Sequence, residues 1–101
     1  MGATFDSRNY KGKYTKDKIL ELFKTDVEQA LYDYGHHGYS GTIAEKGHES
    51  VKIDWQSKMF PTLERAETYI QEHSEKWENA IGVFYKNDDE EGCIVGGWCS
   101  A

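Results

Sequence analysis

A chain of 101 residues with 18 acidic against 12 basic side chains carries a formal charge of −6, which repels a phosphate backbone and argues against a nucleic-acid partner. The length suits a single domain over residues 1–101, and 38% hydrophobic with 14% aromatic residues supports a packed core and excludes a disordered chain. No stretch reaches the ~18 apolar residues of a membrane helix, and the start, Met1 to Arg8, lacks the apolar segment of a secretory signal, so a soluble cytoplasmic protein with no membrane partner is expected.

Residues Ala3 to Tyr10 alternate, with Ala3, Phe5 and Ser7 on one side and Thr4, Asp6 and Arg8 on the other, which predicts a first strand closed by Gly12. Thr15 stands where a helix N-cap belongs. From it Ile19, Leu20, Phe23, Val27, Ala30, Leu31 and Tyr34 recur at helical spacing, and Gly35 supplies the stop. Gly41 to Lys46 then reads as a strand, Gly47-His48 as a turn, and Glu49 to Trp55 as the strand that completes a hairpin. Pro61 and Thr62 announce a second helix with an apolar stripe of Leu63, Ala66, Tyr69, Ile70 and Trp77.

The last third of the chain reads as a hairpin. Ala80 to Lys86 and Cys93 to Cys99 are its strands, and Asn87 to Gly92 is an acidic, solvated turn without the ligand spacing of a calcium loop. Cys93 and Cys99, on one strand, would lie roughly 20 Å apart at about 3.3 Å per residue, too far to bridge, so two reduced thiols are expected. The order β-α-β-β-α-β-β predicts an α+β fold, a two-layer sandwich with a ferredoxin-like outline. Both helices would lie on one face of a mainly antiparallel sheet, with the first strand central and the last at an edge.

The segment with the most chemistry is Gly35 to Lys46, where Gly35, Gly38 and Gly41 interleave with Tyr39 and the pair His36-His37. Glycine permits close approach and backbone angles that other residues resist, so this is the candidate ligand-binding loop, with His36, His37, Tyr39, Ser40 and Lys46 as its polar and aromatic contacts. A phosphate cradle precedes a helix, whereas this loop follows one, which speaks against a Walker-type site. Gly35-His36-His37-Gly38 has the Gly-x-x-Gly form of a nucleic-acid clamp but neither the flanking helices nor the basic groove. Adjacent histidines in extended chain point apart, so no metal site is expected. No cofactor fingerprint or nucleophile elbow occurs, so neither a cofactor nor a catalytic residue is expected.

Tyr34-Gly35-His36-His37-Gly38-Tyr39-Ser40-Gly41-Thr42-Ile43-Ala44-Glu45-Lys46 resembles a segment of the form Tyr-Gly-x-x-Gly-Tyr-Thr-Gly-Thr-Ile-Ala-Glu-Lys in a group of small uncharacterised phage and prophage proteins. The preceding helix and Gly96-Gly97-Trp98 extend the likeness, while Ser40 stands where that segment has threonine. The resemblance implies a mobile-element origin, a site of action in a bacterial cytoplasm, and stoichiometric binding of a host protein or a nucleotide-like small molecule, as in an anti-defence factor. It carries over no catalytic residue. A non-enzymatic binding module is therefore the leading expectation. The alternatives are a small nucleotide-processing enzyme, with His37 and Glu45 exchanging protons and Lys46 steadying an anion, and a homo-oligomer formed through the open sheet face or the final edge strand.

Overall fold

The computed structural model describes residues 3–34, 42, 43, 46, 51–75 and 78–100. Its elements are β1 (Ala3–Lys11), α1 (Lys16–Tyr34), β2 (Ile53–Trp55), α2 (Leu63–His73), β3 (Ala80–Lys86) and β4 (Glu91–Ser100). The result is an α+β fold with a four-stranded mixed sheet in the order β1-β4-β3-β2. β4 runs antiparallel to both neighbours, and β2 is parallel to β3.

Both helices begin as their sequences direct. The Thr15 hydroxyl accepts from the Lys18 amide at 3.2 Å, and Thr62 accepts from Arg65 at 3.1 Å. Each bond satisfies one amide that the first helical turn leaves without a partner. α2 ends when the Ser74 amide donates to the Ile70 carbonyl at 2.8 Å, so the apolar stripe stops before Trp77, which lies outside the described residues.

The helices divide between the two faces of the sheet. Ile19, Phe23, Val27 and Ala30 of α1 pack with Ala80, Phe84, Cys93 and Val95, whereas Ala66 and Ile70 of α2 pack with Ile81, Val83, Tyr85 and Ile94. Because alternate residues of a strand point to opposite faces, this parity puts α1 on one side and α2 on the other. The expected placement of both helices on one face is thereby corrected. The physical reason lies in β3 and β4, where Ala80 to Tyr85 and Cys93 to Cys99 hold no charged residue and no polar alternation, a pattern that requires cover on both faces.

Two further expectations change. β1 lies at an edge and β4 in the middle, because the nine residues of β1 find a partner of matching length in β4, while β2 has only three. Of the hairpin expected over Gly41 to Trp55, the described residues Ile43 and Lys46 are in 3₁₀-type turns rather than a strand, and β2 pairs with β3, which it reaches through the α2 crossover. Gly47-His48 lies outside the described residues. The acidic turn is held by Asn87, whose side-chain oxygen accepts from Asp89 and Glu90 amides at 2.7 and 2.9 Å.

Glycine enters the packing at Gly82. A Cβ there would stand 2.7 Å from Ile53 Cγ2 and from the Trp55 ring, and that ring stacks on Phe84 with centroids 5.4 Å apart and planes 17° apart. Replacing Gly82 with alanine is expected to displace the tryptophan and cost about 1–3 kcal/mol, the usual range for overpacking a core. Urea denaturation followed by tryptophan emission measures both the loss and the altered ring environment.

Candidate functional site

Of the five residues expected to contact a ligand, Lys46 lies within the described residues, while His36, His37, Tyr39 and Ser40 lie outside them, as does Glu45. Lys46 faces inward: it is only 4% exposed, and its ammonium donates to the backbone carbonyls of Glu75 at 3.1 Å and Glu78 at 3.0 Å. A buried ammonium is costly unless its protons meet acceptors, and these two carbonyls belong to the connection that leads from α2 into β3. The side chain therefore ties the end of the glycine-rich segment to that connection.

The surroundings of Lys46 are built for this contact. A Cβ on Gly97 would lie 3.1 Å from Lys46 Cε and 3.2 Å from Nζ, and would collide with the Ser74 hydroxyl. Gly97 thus leaves the space that the lysine stem and Ser74 occupy. Ser74 Oγ accepts from the Trp98 amide at 3.1 Å, a group on the side of β4 that faces β3 but lies past the last β3–β4 pair, Ile81 with Gly96. The hydroxyl takes the place of a strand carbonyl where the ladder has run out.

A second anchor holds the segment three residues earlier. The Ile43 side chain is fully buried against the α1 side of the sheet, and its amide donates to Asp6 Oδ2 at 2.8 Å. The other oxygen of Asp6 accepts from the Ser7 amide at 3.0 Å and from Arg8 Nη1 at 3.1 Å. One apolar plug and one buried cation thus fix Ile43 and Lys46 against the sheet.

Among the described residues, Tyr32, Trp55 and Trp98 do not converge as a group. Tyr32 is 87% exposed. Trp55 covers the α1 side of the sheet with Lys16 Nζ 5.9 Å from its ring centroid, whereas Trp98 lies on the α2 side, where its indole donates to the Gln71 carbonyl at 2.8 Å and its ring meets Phe5 edge-on. On the outer side of α2 an open groove of about 320 Å³ is lined by Phe60, Glu64, Arg65, Thr68, Tyr69 and Glu72. Sequence reasoning missed it because Phe60 precedes the helix and reaches Tyr69 only through tertiary packing, at 5.2 Å between ring centroids.

The buried thiol and phenols of the core are held neutral. Burial pushes the Cys93 thiol up to about 12, which disfavours the thiolate that nucleophilic chemistry needs, and Cys93 and Cys99 both remain thiols. Burial, and then the Asp26 carboxylate to which its hydroxyl donates at 2.5 Å, raise Tyr10 well above the usual phenol value. Among the described residues no group of three His, Cys, Asp or Glu side chains could hold a metal, and no helix is long and apolar enough to cross a membrane.

Lys46→Met, which keeps the stem and removes the ammonium, is expected to cost about 1–3 kcal/mol for the bond lost at the Glu78 carbonyl, the Glu75 carbonyl keeping the Glu78 amide at 3.2 Å, read from the midpoint of urea denaturation. The raised thiol and phenols make stability fall in alkali. A group that binds its proton more tightly when folded contributes fully below its unfolded value and loses that contribution as pH rises toward its folded one. Stability should hold to about pH 9 and then fall by up to about 1.4 kcal/mol per pH unit for each ionising group. In Cys93→Ala the early part of this fall should shrink, leaving the later part in which Tyr10 and Tyr85, both raised by burial, ionise. Denaturation midpoints across that range check the order.

Comparison of the chain with protein-family models, with curated proteins and with solved structures gives no match.

Proposed function

We propose that the chain is a non-enzymatic binding module, a phage- or prophage-type accessory protein, that holds a host protein or a small nucleotide-like ligand through the stretch from Gly35 to Lys46. The observation that carries this reading is the double anchorage of that stretch, with the Ile43 amide on Asp6 and the Lys46 ammonium on the Glu75 and Glu78 carbonyls. Anchors of this kind restrict the freedom of a short connection, which lowers the entropy lost when it orders around a ligand. On this reading His36, His37, Tyr39 and Ser40 supply the contacts, an aromatic ring with hydrogen-bonding groups, and Lys46 serves as an anchor rather than a contact. The reading is of capture, in proportion to the amount of protein made.

Calorimetry of the full chain against a panel of nucleotides, paired with affinity capture from bacterial extract, tests the proposal. The expected result is saturable binding with the ligand recovered intact, weakened at least about tenfold, or 1.4 kcal/mol, when His36, His37, Tyr39 and Ser40 are replaced together by alanine. Consumption of a nucleotide in molar excess over protein would overturn the non-enzymatic reading. Equal binding by the fourfold variant would overturn the site.

A further inference from the structure

β1 occupies one end of the strand order. Its nine residues pair with β4 in an unbroken register from Ala3 opposite Ser100 to Lys11 opposite Gly92, and among the described residues no strand pairs with its outer side. The opposite edge of the sheet is unsuited to further pairing: β2 has three residues, and the chain returns to β3 only at a single bridge from Phe60, immediately before Pro61. Long, regular, unbulged edges are the ones that recruit another strand.

The backbone groups that β1 turns outward can be identified. Gly12 N–H donates to Glu91 O at 2.8 Å, and bonded and non-bonded pairs alternate along an antiparallel ladder. Even-numbered residues of β1 therefore address β4, and Phe5, Ser7 and Asn9 address the outside. At the middle of the strand the outward groups are held by their own neighbours. The Ser7 amide donates to Asp6 Oδ1 at 3.0 Å, and the Ser7 carbonyl accepts from Arg8 Nη1 at 2.9 Å.

We propose that β1 pairs antiparallel with β1 of a second copy of this chain, with Ser7 at the two-fold axis, joining two four-stranded sheets into one. Charge selects the register. About Ser7, Asp6 of each copy stands directly opposite Arg8 of the other, so two intrastrand ion pairs become a square of four alternating charges on one face, the arrangement cross-strand pairing favours. Two-fold pairing about Asp6 or about Arg8 would set like charges face to face, and pairing about Phe5 or Asn9 would leave Asp6 and Arg8 without opposite charges across the interface. The remaining pairs about Ser7 are Phe5 with Asn9, Thr4 with Tyr10 and Ala3 with Lys11, with no like-charge opposition. The interface is isologous and closes after two copies.

The side-chain cap at Ser7 makes the edge tolerable in the separate chain. Asp6 and Arg8 occupy the two groups that the second copy's Ser7 would bond, so the amide and carbonyl have partners in both states, and association exchanges one set for the other. This proposal does not depend on the binding reading above and fails or survives separately from it.

Sedimentation velocity of the full chain over a hundredfold concentration range, combined with cysteine cross-linking, decides the matter. In a bonded antiparallel pair the Cα atoms lie about 5.5 Å apart, within disulfide range. Ser7→Cys should therefore give a covalent dimer on mild oxidation, while Lys11→Cys, about four residues from the axis in each copy and so ~27 Å from its mate, should not. Arg8→Glu, which sets an acidic pair across the interface, should weaken association at least tenfold and retain the circular-dichroism spectrum of the fold. A chain that stays monomeric throughout, equal cross-linking at both positions, or a dimer indifferent to Arg8→Glu would overturn the proposal.

Discussion

The fold depends on a strand that cannot be left uncovered. From Cys93 to Cys99, β4 offers no charged side chain to water, and its backbone must find partners along both edges. The two longest remaining strands, β1 and β3, take the edges, and the two helices take the faces. Fully burying a large aliphatic or aromatic side chain contributes about 1.5–3 kcal/mol, and Ile19, Phe23, Val27, Ile70, Val83, Tyr85, Ile94 and Val95 are each 2% exposed or less. Most of them touch β4 or the side chains directly upon it. The smaller features, including the glycine at position 97 and the hydroxyl of Ser74, resolve problems created at the place where β4 outruns β3.

That view explains which parts of the fold were legible. Both helices could be read because their periodicity and their caps, Thr15 and Thr62, are local properties of the chain. The hairpin of β3 and β4 could be read from two apolar runs flanking Asn87. The division of the helices between faces was also present in the sequence, in the lack of alternation along Ala80 to Tyr85 and Cys93 to Cys99, but an expectation built on the order of elements overrode it. The place of β1 was not legible, because strand order depends on which lengths match and which backbone groups remain unpaired, and no local pattern states that.

The segment around Ile43 and Lys46 was misread for a different reason. Thr42-Ile43-Ala44 has the composition of a strand, and local propensity for strands is weak compared with tertiary context. What decides the conformation is the pair of destinations, a pocket on the α1 side of the sheet for Ile43 and two carbonyls more than 28 residues further along the chain for Lys46. A lysine in a glycine-rich stretch reads as a surface cation by composition. Its burial could have been suspected only from Gly97, a residue without a side chain on the strand that passes beneath it.

Asp6 links the two surfaces that the structure draws attention to. One oxygen holds the Ile43 amide, and the other holds Ser7 and Arg8 at the outer edge of β1. Any rearrangement at the edge that turns this carboxylate toward a second copy therefore bears on the anchor of the glycine-rich segment, and the reverse holds by linkage. The strength of that coupling is bounded. A single hydrogen bond to a charged group contributes a net ~1.5–3 kcal/mol, and only the fraction lost or gained between the two states can be transmitted. The carboxylate need only rotate to serve both partners, and the Ile43 side chain stays buried whichever way it turns. Any such coupling would lie well below one full hydrogen bond, about a few-fold in affinity, so the proposed binding and the proposed pairing would not be obligatory for each other.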